Sequence, residues 1–64
     1  MNTGIVKFFN EAKGFGFITD DASKQDIFVH ITGLNGGQVQ QNDRVEFEIQ
    51  EGRKGMNAVN VRRV

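Results

Sequence analysis

The stretch RVEFEIQ, Arg44 to Gln50, sets Val45, Phe47 and Ile49 on one side of an extended chain and Glu46, Glu48 and Gln50 on the other. That period of two describes a strand with one buried and one wet face. The same period runs outward in both directions. Downstream, MNAVNVRRV (56–64) alternates more weakly, with Val59 and Val61 opposed to Ala58, Asn60 and Arg62, and EGRKG (51–55) supplies the glycines of a hairpin turn. Upstream, GIVKFFN (4–10), FGFIT (15–19) and DIFVHI (26–31) read as three more strands, the last two separated by the polar loop DDASKQ (20–25). A longer connection, TGLNGGQVQQND (32–43), joins the third strand to the fourth, with a helical turn expected near Ile31 to Leu34.

Five short strands in 64 residues are too few for a two-sheet sandwich, and two open edges would invite aggregation. The expected fold is therefore all-β, a five-stranded antiparallel barrel of the OB or SH3 type, forming one domain over residues 1–64. A chain this short buries only about 60% of the surface its unfolded form exposes. It has no cysteine and a single histidine, so neither a disulfide nor a structural metal is expected to reinforce it. The lack of cysteine fits a reducing compartment, and no apolar run reaches the length of a signal peptide or a membrane span, so the expected location is cytoplasmic.

Eight basic and eight acidic residues cancel, which gives a polyanion no long-range attraction. The charges are unevenly spread: Asp43 to Glu51 holds four acids, and Gly52 to the C-terminus holds four basic residues and no acid. An enzyme is not expected. There is no cysteine nucleophile, Ser23 lies in a polar loop without a histidine partner, GLNGG (33–37) lacks the lysine and helix of a phosphate loop, and Asp20 and Asp21 suit a turn. His30 alone makes no metal site, which needs about three or four ligands. No cofactor, small-molecule substrate or membrane partner is expected.

The aromatic residues carry the functional signal. In the third strand Ile27, Val29 and Ile31 share one face and Asp26, Phe28 and His30 the other, so burying Phe28 would bury two polar groups and expel three β-branched ones. Phe28 therefore faces out. Phe8 and Phe9 are neighbours and point to opposite sides unless a bulge intervenes. Parity alone leaves Phe15 and Phe17 open to either face, but Lys13 beside them and the need to match Ile18 to Ile27 and Val29 favour the outside. Phe47 belongs to the core. Leaving three phenylalanines exposed forgoes about 5 to 9 kcal/mol, comparable to the stability of a typical domain, which argues that the rings have a use. Two uses compete: stacking of unpaired nucleobases, and docking of a protein or of a second copy of the chain. Interleaved Lys7, Lys13 and His30, with Asn10 and Asp26 as hydrogen-bonding groups, favour single-stranded nucleic acid.

KGFGFI (13–18) resembles an RNP1 motif and DIFVH (26–30) an RNP2 motif. With GIVKFFN before them and FEIQEGRKG, Ala58 and the pair Asn60-Val61 after them, nearly the whole chain resembles bacterial cold shock proteins, the cold shock domain family. The resemblance implies an OB-fold barrel that binds single-stranded RNA and DNA with low sequence specificity and acts as an RNA chaperone. It also implies that Lys7, Phe8, Phe9, Asn10, Lys13, Phe15, Phe17, Asp26, Phe28 and His30 line the binding face, with Lys54 of the last hairpin contacting the strand. A monomer is expected, with a dimer left open. The chain departs from the family pattern where Phe8 replaces a usual tryptophan, Ile31 a usual phenylalanine and Met56 a usual proline, and where the loop after the third strand is short and lacks an aromatic. Those departures predict weaker affinity and a shorter occupied stretch of nucleic acid.

Overall fold

The computed structural model describes residues 1–35, 38–52 and 55–64. Five strands follow in order: β1 (Asn2–Asn10), β2 (Phe15–Asp20), β3 (Asp26–His30), β4 (Arg44–Gly52) and β5 (Gly55–Arg63), with a single 3-10 turn over Ile31–Gly33 after β3. They close into a barrel in the order β1-β2-β3-β5-β4, with β4 returning to β1. Closure removes the open edges that a small sheet would present. The pairs β1·β2, β2·β3, β1·β4 and β4·β5 are antiparallel, whereas β3 and β5 meet in parallel, Phe28 opposite Asn57 and Val29 opposite Ala58. One seam of the expected antiparallel barrel is thus parallel, because β5 reaches β3 only after β4 has crossed the barrel.

Val6, Ile18, Ile27, Val29, Val39, Val45, Phe47, Ala58 and Val61 form the core, with Phe9 and Leu34 packed against it. The clean alternation of RVEFEIQ holds for Val45 and Phe47 and fails at Ile49, which is 37% exposed. The cause is topological. β1 covers β4 only from Arg44 to Phe47, so β4 beyond Phe47 continues past the barrel wall and Ile49 on its inward side meets solvent. Ile31 likewise leaves the face it was expected to share with Ile27 and Val29: β3 ends at His30, and Ile31 opens the 3-10 turn, 40% exposed.

Two bulges reset the parity of the sheet. On β1, Val6 pairs with Ile18 and Phe8 with Phe17, which leaves Lys7 as the extra residue. On β5, Glu46 faces Arg62 and Glu48 faces Val59, so Asn60 and Val61 together oppose Phe47. Asn60 adopts φ 53°, a conformation asparagine tolerates better than most residues. The shift puts Ala58 and Val61 inside, where simple alternation pairs Val61 with Val59 instead. Val39, in the connection between β3 and β4, fills the core from a segment with no strand pattern.

The β2–β3 hairpin is tied by Asp20, a carboxylate with 3% of its surface exposed. The Ser23 backbone N–H donates to its Oδ2 at 2.8 Å, the Ser23 hydroxyl donates to the same oxygen at 3.0 Å, and Asn2 Nδ2 donates to Oδ1 at 3.2 Å. The Ser23 N–H, followed by the Asn2 amide, holds the carboxyl below its ordinary value of 3.8 against the opposing effect of burial. Asp20 is thus a turn former, as its place before the loop predicts. Asp21 accepts from the Thr3 hydroxyl at 3.0 Å and pairs with Arg44, and Arg62 pairs with Glu46, so the strand ends carry ion pairs on the outer surface.

Candidate nucleic-acid interface

Sheet parity builds the site. In β2 Gly16, Ile18 and Asp20 are buried, which turns Phe15, Phe17 and Thr19 outward; in β3 buried Ile27 and Val29 turn Asp26, Phe28 and His30 outward. Register then aligns these side chains in rows. Phe8, Phe17 and Phe28 lie opposite one another across β1, β2 and β3, and Asn10, Phe15 and His30 form the row beside them. On the other side Thr19 faces Asp26, and the bulged Lys7 reaches across β2 to join them.

The four rings make one continuous cluster. Phe8 meets Phe17 at a centroid distance of 5.5 Å and Phe15 edge-on at 6.3 Å, Phe15 stacks on Phe28 at 5.9 Å, and Phe17 meets Phe28 edge-on at 5.8 Å. Each lies in the range of favourable ring pairs. The rings therefore shield one another: Phe8 is 39% exposed, while Phe15, Phe17 and Phe28 are half-buried. The stabilisation forgone is smaller than full exposure of three rings would imply. What remains is an apolar surface on the outside of a barrel whose core is already complete.

The bulge at Lys7 decides the Phe8 and Phe9 pair. Phe8 joins the outer cluster, and Phe9 packs against the core, its ring lying over Gly16. A Cβ on Gly16 would stand 2.3 Å from the Phe8 carbonyl oxygen and 2.6 Å from the Phe9 ring, so the glycine clears the space the ring fills. Gly14, at φ 76°, ends the turn between β1 and β2. That turn is held by Asn10, whose Oδ1 accepts from the Lys13 N–H at 3.1 Å and whose carbonyl accepts from the Gly14 N–H at 2.8 Å. Asn10 shapes the edge of the face through Oδ1, and Lys13 projects from it into solvent.

Lys7 Nζ donates to Asp26 Oδ2 at 2.8 Å and the Thr19 hydroxyl donates to Asp26 Oδ1 at 3.1 Å. Those two bonds, the lysine first, hold the Asp26 carboxyl below its ordinary value. Both members of the ion pair are exposed, so the link is weak and open to exchange. His30 is fixed by its Nδ1 side: the Thr32 N–H donates to Nδ1 at 3.2 Å, and the Thr32 hydroxyl lies 3.0 Å away. Lys54 lies outside the described residues. The structure brings the other ten expected residues to this part of the molecule, with Phe9 turned to the interior side. It adds Thr19, bonded to Asp26; Ile31, whose N–H donates to the Gly14 carbonyl at 2.8 Å beside Phe15; and Asn57, opposite Phe28. Only the register of a parallel seam places Asn57 there, and no sequence pattern reports it.

Comparison with known proteins agrees with this geometry. The family model described as the 'Cold-shock' DNA-binding domain matches residues 2–64. The major cold shock protein of Micrococcus luteus is 48% identical over 64 residues, covering 95% of this chain and 96% of its own. The cold shock-like protein CspG of Escherichia coli K12 is 47% identical over 62 residues, covering 92% and 89%. Among solved structures, drosophila Unr CSD456 matches with a TM-score of 0.80 over 98% of this chain and 26% of that one, at 23% identity, a likeness of fold. An aromatic cluster on the outside of a closed β-barrel and a family match over almost every residue lead to one conclusion: the chain belongs to the cold shock domain family of non-enzymatic nucleic-acid binders.

Proposed function

We propose that this protein binds single-stranded RNA and DNA in the cytoplasm as an RNA chaperone of low sequence specificity. The observation that supports it most is the row Phe8, Phe17 and Phe28, in register across three strands and flanked by Phe15 and His30. Every base has a π face, so rings laid side by side take successive unpaired bases whatever their sequence, each worth about 1 to 3 kcal/mol. A duplex, with its bases already stacked on each other, has no such faces to offer. In this reading Phe8, Phe15, Phe17, Phe28 and His30 stack, and Lys7, Lys13 and Lys54 hold phosphates. Lys7 exchanges Asp26 for the strand, which its exposed ion pair permits. A single-strand binder opens weak RNA helices by mass action, since it stabilises the open form alone.

The chain has no tryptophan and no tyrosine, so the test uses a labelled oligothymidine. Saturable binding at low salt is expected, together with opening of a quenched RNA hairpin of marginal stability and no comparable binding of a blunt duplex. No detectable binding of the oligothymidine at low salt would overturn the reading, and would leave the aromatic face to a protein or to a second copy of the chain.

A further inference from the structure

The row of rings does not end at β3. Across the parallel seam Phe28 lies opposite Asn57, and across β4·β5 Asn57 lies opposite Gln50, so the row Phe8, Phe17, Phe28 runs on, in register, into two amide side chains. Neighbouring strands lie about 4.8 Å apart, which puts these amides about 5 and 10 Å beyond the last ring. Ala58, next to Asn57, is buried, so Asn57 points outward, where it is half-buried and Gln50 exposed. Asn57 leans over Gly52: a Cβ on that glycine would stand 2.7 Å from Asn57 Nδ2, so the missing side chain gives the amide a backbone floor to rest on. Among the described residues neither amide has a hydrogen-bond partner.

A carboxamide presents one acceptor beside one donor in a plane. Adenine offers the complementary pair, its 6-amino group and N7, and an asparagine or glutamine takes that edge with two hydrogen bonds. We propose that Asn57, flanked by Gln50, forms a further base subsite, in which the base next to the one on Phe28 is met at its edge and adenine is preferred. The inference rests on the proposed single-strand binding and refines it. The rings accept any base by its face, whereas the amide discriminates by hydrogen bonding, so a preference arises at one position of an otherwise indifferent strand.

The test walks a single adenine through a labelled oligothymidine and compares the wild-type protein with Asn57→Ala, Gln50→Ala and Asn57→Asp. One position is expected at which adenine tightens binding about fivefold or more over thymine, and over a purine that lacks the 6-amino group. Asn57→Ala should erase the difference, Gln50→Ala should reduce it, and Asn57→Asp, which only accepts, should move the preference toward cytosine. A flat adenine scan in a wild-type protein that does bind oligothymidine would overturn the subsite alone, as would a preference that survives Asn57→Ala. Failure of the wild-type protein to bind any of the strands would overturn the single-strand reading beneath it.

Discussion

Phe17, Phe28 and Phe47 are the same residue in two surroundings, and the difference sets what each substitution should cost. Phe47 is fully buried, so Phe47→Ala should cost about 3 to 5 kcal/mol in urea unfolding. Phe17 and Phe28 are half-buried against other rings, which limits the loss for Phe17→Ala or Phe28→Ala to about 1 to 2 kcal/mol. The same substitutions should weaken oligothymidine binding about 5-fold to 100-fold. A variant that loses stability and keeps its affinity would show that these rings are wall and not platform. Asp20 gives a second residue-scale test. Its folded value is lowered, so its contribution to stability is complete above the unfolded value, near pH 4, and disappears as pH falls through the lower folded value. Asp20→Asn turns an amide toward donors on Ser23 or Asn2 and should lose about 1 to 3 kcal/mol at pH 7. The gap from wild type should close in acid-unfolding curves below about pH 4. A gap that stays constant down to pH 2 would contradict the assignment.

At the scale of elements the two bulges matter more than the strands they interrupt. Without the extra residue at Lys7, Phe8 would exchange faces with Phe9 and the outer row would lose its first ring. On β5, Asn60 holds a left-handed conformation so that Val61 can turn back into the core beside Phe47. Asn60→Gly should change stability by less than about 1 kcal/mol, whereas Asn60→Val, which forces a β-branched residue to positive φ, should cost about 1 to 3 kcal/mol. Thermal or urea unfolding of the two variants measures the contrast; equal effects would mean that the bulge carries no conformational demand. The glycine at 16 shows the same logic, since its inner face is the place where the Phe9 ring and the β1 backbone come close.

At the scale of the whole molecule, zero net charge and a neutral aromatic platform lead us to expect that stacking, not ion release, supplies most of the proposed single-strand affinity. With about two or three phosphates neutralised by the lysines of the face, the slope of log K against log salt should be about −1.4 to −2. A slope steeper than about −4 in an oligothymidine titration would mean that the backbone, and not the bases, is what the protein holds. The period of two in RVEFEIQ, the opposed faces of DIFVHI and the family motifs settled the strands, the barrel, most of the core and most of the outer face from the sequence, because alternation is a local property that each strand carries by itself. The exposure of Ile49 and Ile31, the exchange of Val59 for Ala58 inside, the recruitment of Val39, the fate of Phe9 and the arrival of Asn57 beside Phe28 were decided only by the tertiary structure. Each depends on where a strand loses its neighbour, where a bulge shifts parity, or which distant strand closes the barrel, and these are relations between segments that no one segment encodes.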